Sequence, residues 1–129
     1  MTEENLELVR RAVQNVEVFW ALLDEYVMWD LREAPLLDFD GVYVGRDAVI
    51  EASRHYWGTW GDYRIDAEEL RDNGSSVVVI LRERGSGKSS GAPFEQRLAQ
   101  VWTFHRGRII RWEIFQDRAA ALEAAGLSA

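Results

Sequence analysis

Apolar residues recur in two rhythms along this chain, and the change from one to the other divides it. In the first segment the rhythm is helical: Leu6, Val9, Val13 and Val16 lie three or four apart, with Leu8 and Ala12 widening the stripe. Asn15 predicts a break, after which Phe19, Trp20, Leu22 and Leu23 predict a short second helix over about 17–24. Val27-Met28-Trp29-Asp30 reads as a strand that ends in an acid. Pro35 and Gly41 punctuate a loop over 32–41, Val42-Tyr43-Val44 is a short strand, and Gly45-Arg46-Asp47 turns into a third helix over about 48–57. That helix carries Val49, Ala52 or Ser53, Tyr56 and Trp60 on its apolar stripe, with Trp57 at the flank.

From Tyr63 onward the period is two. Tyr63, Ile65 and Ala67 alternate with polar residues up to about Leu70, and Asp72-Asn73-Gly74 is a hairpin turn, since Asn-Gly tolerates the positive φ such turns demand. Val77 to Leu81 is continuously apolar and predicts a central strand. Gly85 to Gly91 (GSGKSSG) does not meet the phosphate-loop pattern and precedes a strand, so it reads as a flexible connection. The stretch from Phe94 to Asp117 organises the rest: two long runs rich in β-branched and aromatic residues, joined by His105-Arg106-Gly107-Arg108, predict a large antiparallel hairpin. Arg118 to Ala125 closes the chain as a short helix stopped by Gly126. The order α-α-β-β-α-β-β-β-β-α predicts an α+β fold, its helices gathered on one face of a curved, mostly antiparallel sheet.

Composition narrows the function. At 129 residues the chain reads as one domain, residues 1–129, with a core of its own. A net charge of −7 argues against a nucleic-acid partner, which requires a basic face. No apolar run reaches the roughly 20 residues of a membrane span, so no membrane partner is expected. With no cysteine, disulfides and thiolate metal sites are excluded and a reducing cytoplasm is the expected location. His55 and His105 stand apart with no clustered acid, so no metal is expected. The six tryptophans predict either an aromatic core or an aromatic-walled cavity.

Tyr43, Gly45, Arg46, Asp47 and Ala48, then Gln100-Val101-Trp102-Thr103-Phe104, then Gly107, Ile109 and Ile110, and last Arg111-Trp112 through Phe115, Asp117, Ala121 and Leu122 carry a resemblance. In this order the chain resembles SnoaL-like, ketosteroid-isomerase-like proteins of the nuclear transport factor 2-like superfamily. The resemblance implies a cone-shaped sheet wrapped around a helical layer, an apolar pocket open at one end, and a homodimer formed through the outer face of the sheet. It implies no cofactor, and a function as a pocket protein for a small apolar or aromatic molecule. The pocket would serve either cofactor-free acid–base chemistry (isomerase, polyketide cyclase or dehydratase type) or non-catalytic binding or dimerisation.

Four residues are candidates for chemistry. Asp30 lands, by resemblance, on the general-base aspartate of the isomerases; facing an apolar cavity, its carboxyl would be pushed upward by desolvation and tuned as a proton shuttle. Gln100 falls near the isomerases' protonated acid and would polarise a carbonyl as an amide donor, while their oxyanion tyrosine falls on Ala12 and is absent. Asp117 matches the acid or base of polyketide cyclases, and read from its own neighbours it is an N-cap before Arg118. His55 lies at the edge of the third helix's apolar stripe, where a titrating imidazole is either a rim residue or an acid–base group.

Alternation along the first strand of the long hairpin gives one row of Gln96, Leu98, Gln100, Trp102 and Phe104, the expected concave wall. The other row, Glu95, Arg97, Ala99, Val101 and Thr103, is the expected outer face toward a partner. Leu98, Trp102 and Trp112 with Phe19, Trp29, Tyr56, Trp57 and Trp60 are the candidate ligand-binding residues. Arg82-Glu83-Arg84 reads as a solvated strand end or an interfacial ion pair.

Overall fold

Asn15 does break the first helical run, and it caps the next. In the computed structural model, which describes residues 2–36 and 39–128, α1 spans Thr2–Gln14 and α2 spans Val16–Leu22. Asn15 Oδ1 accepts from the backbone N–H of Glu17 at 3.0 Å and of Val18 at 3.4 Å, satisfying two of the orphan donors at the start of α2. The chain leaves α2 directly into β1 (Leu23–Asp30), which begins four residues earlier than its apolar run predicts. β2 (Val42–Val44) returns antiparallel beside it, and Gly45, at φ 96°, donates its N–H to Val27 O at 2.8 Å before α3 (Arg46–Gly58) begins. A side chain at Gly45 would be strained by that φ.

Four long strands complete the sheet: β3 (Trp60–Asp72), β4 (Ser76–Gly87), β5 (Pro93–His105) and β6 (Arg108–Phe115). The order is β2-β1-β6-β5-β4-β3, antiparallel throughout except for the parallel pair β1–β6. β3 and β4 run further than expected because β4 continues through Arg84 to Gly87, leaving only a tight turn of the glycine-serine stretch. Register shifts in β3, between Gly61 and Arg64 and between Ala67 and Glu69, bend that strand. Among the described residues no helix is long and apolar enough to cross a membrane.

The two faces of the sheet have separate cores. The inward rows, Val77, Val79 and Leu81 of β4 with Leu98 and Trp102 of β5 and Trp112 and Ile114 of β6, pack with Val9 and Val13 of α1, Phe19 of α2, and Val49 and Tyr56 of α3. On the outer face Val78, Ile80, Ala99, Val101 and Phe115 pack under Ala121 and Leu122 of α4 (Arg118–Ala124). The helices therefore do not all gather on one face, as the element order predicts: α4 crosses to the other side. Ala99 and Val101, expected to meet a partner, are covered by the chain's own α4, because a short helix capped at Asp117 folds back directly after β6. The rest of that outer face carries ion pairs such as Arg82–Glu95 at 2.7 Å and Arg97–Glu68 at 2.8 Å.

Candidate functional site

Between the inward face of the sheet and the helices lies a cavity of about 570 Å³, within the range of small-molecule sites. Its strand-side wall is the predicted row of β5, Leu98, Gln100 and Trp102, continued by Trp112 of β6 and Trp29 of β1. α1 and α2 contribute Ala12, Val13 and Phe19, and α3 contributes Tyr56 and Trp57. Trp29 and Trp112 stack with centroids 4.3 Å apart and planes 6° from parallel, and Phe19 sits edge-on to Trp112 at 4.7 Å. The tryptophans thus build a wall and leave space beside it.

Gln100 is the polar group of this aromatic end. It is 3% exposed, and its Oε1 accepts from the indole Nε1–H of Trp102 at 2.8 Å and of Trp112 at 3.0 Å. Indole N–H groups only donate, so both must face the carbonyl oxygen, and the amide orientation is fixed. Its Nε2 group makes no hydrogen bond among the described residues, and Gln100 is part of the cavity wall. With its oxygen taken by two indoles, the amide is left in the wall as a donor. Trp29 Nε1–H, fully buried in the same wall, also has no acceptor among the described residues.

Asp30 is elsewhere. β1 and β6 align Trp29 with Trp112 and Asp30 with Glu113, so Trp29 takes the inner face and the next residue takes the outer one. Only 6% exposed, Asp30 is gripped there by arginines. Arg32 donates from Nε to Oδ1 at 3.0 Å, from Nη2 to Oδ2 at 2.8 Å and from its backbone N–H to Oδ1 at 3.1 Å, and Arg111 Nη2 donates to Oδ2 at 2.9 Å. The hydrogen bonds from Arg32 outweigh burial and hold the Asp30 carboxyl below the usual aspartate range, with the charge of Arg111 adding to them. The expectation of a raised carboxyl facing the cavity is corrected on both counts: strand alternation turns it outward, and two guanidinium groups stabilise its anion.

The other expected chemical residues also lie away from the cavity. Asp117 caps α4, its Oδ1 accepting from Ala120 N at 2.8 Å. The His55 side chain is 71% exposed and rests 3.4 Å from Glu51 on the outer side of α3. Trp60 is stacked on Phe94 at 3.8 Å and does not belong to the wall, because α3 ends at Gly58 and Trp60 opens β3 instead of continuing the helical stripe. Phe19, Trp29, Tyr56, Trp57, Leu98, Trp102 and Trp112 all reach it.

A second polar cluster of the cavity wall centres on Glu83, whose run Arg82-Glu83-Arg84 reads in the sequence as a solvated strand end or an interfacial ion pair. Glu83 is 1% exposed and accepts from Tyr56 Oη at 2.5 Å, from Gln96 Nε2 at 2.5 Å and from Tyr63 Oη. Burial first, and the charge of Glu83 second, push both phenols above the usual tyrosine range, so they are donors at neutral pH. The signal was present: Val77, Val79, Leu81 and Glu83 are one alternating row, and the flanking Arg82 and Arg84 take the opposite face.

A model of the SnoaL-like domain family matches residues 9–112 of the chain. No curated protein matches the sequence. Among solved structures, a nuclear transport factor 2-like protein of unknown function from Burkholderia pseudomallei is 23% identical, with 92% of this chain and 95% of that one covered at a TM-score of 0.74. A protein from Jannaschia provisionally described as a SnoaL-like polyketide cyclase is 16% identical, covering 99% and 95%, at 0.77. One from Rhodopseudomonas palustris provisionally described as an isomerase is 22% identical, covering 92% and 90%, at 0.68. At these identities the likeness is one of fold.

Proposed function

We propose, on the premise that the chain belongs to the SnoaL-like domain family within the nuclear transport factor 2-like superfamily, that it draws a compact aromatic compound bearing oxygen substituents into the cavity. There it performs acid–base chemistry beside a carbonyl without a cofactor, of the isomerase or cyclase type. The observation that carries this reading is Gln100, a residue of the cavity wall whose oxygen is occupied by two indoles while its amino group has no partner among the described residues. An amide held in that way costs little to organise when an oxygen of the ligand arrives to accept from it. The indoles around it give a planar ring a large contact area. Similarity of fold to proteins described as a polyketide cyclase and an isomerase supports the same reaction class.

The probe for this reading is 6-hydroxy-1-tetralone, a bicyclic aryl ketone with oxygens at both ends. Titration should quench tryptophan fluorescence, and Gln100→Leu should weaken binding about tenfold, the loss of about 1.4 kcal/mol expected for one hydrogen bond. Chelator-treated protein in D₂O should speed loss of the C2 proton signal above the buffer rate. If the probe neither binds nor exchanges, the reading is wrong. A second reading, ligand binding without turnover, is favoured by the clamping of Asp30 outside the cavity; binding without exchange selects it.

A further inference from the structure

At a distance from Gln100 the cavity wall holds a carboxylate with no counter-ion. Glu83 takes its hydrogen bonds from three uncharged donors, Tyr56, Tyr63 and Gln96, and forms no ion pair among the described residues. Its neighbours in sequence, Arg82 and Arg84, pair with Glu95 at 2.7 Å and Asp66 at 3.6 Å on the outer face. Burying a charge without a cation is costly, and apolar replacements at such places are often neutral or stabilising. The rest of its row, Val77, Val79 and Leu81, shows what this face of β4 otherwise takes. Four elements converge to hold the group: α3 through Tyr56, β3 through Tyr63, β4 itself, and β5 through Gln96. A carboxylate offers about four lone-pair sites. Three are filled, and Glu83, Tyr56 and Tyr63 all belong to the cavity wall.

We propose that Glu83 is the proton acceptor of this cavity and Tyr63 the donor to the oxyanion it creates, acting on a carbonyl compound with an acidic C–H beside the carbonyl. The inference rests on the function proposed above and locates its chemistry. In the step, the C–H bond breaks, its proton bonds to Glu83 Oε2, and the electron pair moves onto the carbonyl oxygen as an enolate. Neutral Glu83 is a weaker acceptor, so the Tyr63 hydroxyl turns from it to the enolate oxygen. Proton acceptor and oxyanion donor then lie one hydrogen bond apart, the spacing that an acidic C–H and its carbonyl oxygen require. Returning the proton to another carbon gives an isomer. Attack of the enolate carbon on a second carbonyl of the same molecule closes a ring, the proton passing from Glu83 to the new alkoxide. No electron leaves the substrate in either case.

The register also sets the substrate's length. Glu83 pairs with Gln96, and Gln100 lies four residues further along the same inward row, about 13 Å at about 3.3 Å per residue. Both side chains reach inward, so the substrate carries one oxygen for Gln100 and its reacting carbonyl at the other end of a short ring system.

The test uses Glu83→Gln, which keeps the shape of the side chain and removes the base, and Tyr63→Phe, which keeps the ring. With 6-hydroxy-1-tetralone, Glu83→Gln should lower C2 exchange by about 10²- to 10⁴-fold and Tyr63→Phe by about 10²-fold. Affinity by fluorescence should stay near the wild-type value in both. Should near-UV circular dichroism show Glu83→Gln unfolded, Tyr63→Phe decides alone. A folded Glu83→Gln that exchanges at the wild-type rate overturns the inference and leaves the proposed function standing, as does an unchanged Tyr63→Phe. Wild-type binding without exchange overturns the inference as well.

Discussion

Replacing Asp30 by asparagine separates two roles that one position could hold. Asp30 is 6% exposed on the outer face of β1 and accepts from Arg32 and Arg111, tying the loop after β1 to β6. Removing one partner of a fully buried ion pair costs about 3–5 kcal/mol. Here the arginine side chains are 61% and 36% exposed and can turn to water once the charge is gone, which discounts the loss to about 2 kcal/mol. For a domain of this size that lowers Tm by roughly 8 °C, measurable by scanning calorimetry at pH 7 or as a shifted guanidinium midpoint. Acid supplies a second check. The folded carboxyl is held below its unfolded value, so its contribution is complete above the usual aspartate range, near pH 4, and is lost as pH falls through the folded value. Wild type and Asp30→Asn should therefore begin to converge in stability as pH falls below about 4, and meet only below the folded value. Probe binding and exchange should be unchanged. A variant of wild-type stability that no longer exchanges protons would refute this reasoning and restore Asp30 as the base.

Asp117→Ala should cost about 1 kcal/mol through the lost cap of α4 and leave exchange untouched, read from a denaturant melt and the same nuclear magnetic resonance assay. Tyr56 and Tyr63 stay neutral beyond the usual tyrosine range in the folded protein, so stability holds below about pH 10 and falls above it as the unfolded chain ionises. Their phenolate absorbance at alkaline pH should appear only together with unfolding. Gly85→Ala should destabilise by about 1–3 kcal/mol, because its methyl would stand 2.8 Å from Gly61 O and 3.1 Å from the Phe94 ring at the bend of β3; an unchanged denaturant midpoint would show that the bend gives way freely.

Alternation was the most readable property of this sequence. It placed Leu98, Gln100 and Trp102 on the cavity side of β5 without any knowledge of what they faced, because a one-residue slip would expose Leu98, Trp102 and Phe104 at once. The same rule, applied to Trp29-Asp30, already forbade both from facing inward, and burial of the indole decided which did. Glu83 escaped because charged neighbours in sequence suggest solvent, whereas on a strand the informative neighbours are two residues away. The crossing of α4 to the outer face was not readable: its Ala-rich stripe fits either side, and only the direction in which the chain leaves β6 determines it. Trp60 failed for a related reason, since the helical stripe was extended past Gly58, where α3 stops.

The split between the two faces of β5 has an engineering use. Positions 96, 98, 100 and 102 form an odd-and-even sieve with 97, 99, 101 and 103: the first set takes the inner face, where 98, 100 and 102 line the cavity, while the second takes the outer face, where 99 and 101 lie under α4, Arg97 pairs with Glu68 and Thr103 bonds to Ser76. A mutant library confined to the first set would recast which molecules fit while leaving the outer fastenings in place. Neighbouring codons write to opposite sides of the same ribbon, so changes that retune the cavity draw on the inner core alone and leave the seat of α4 untouched.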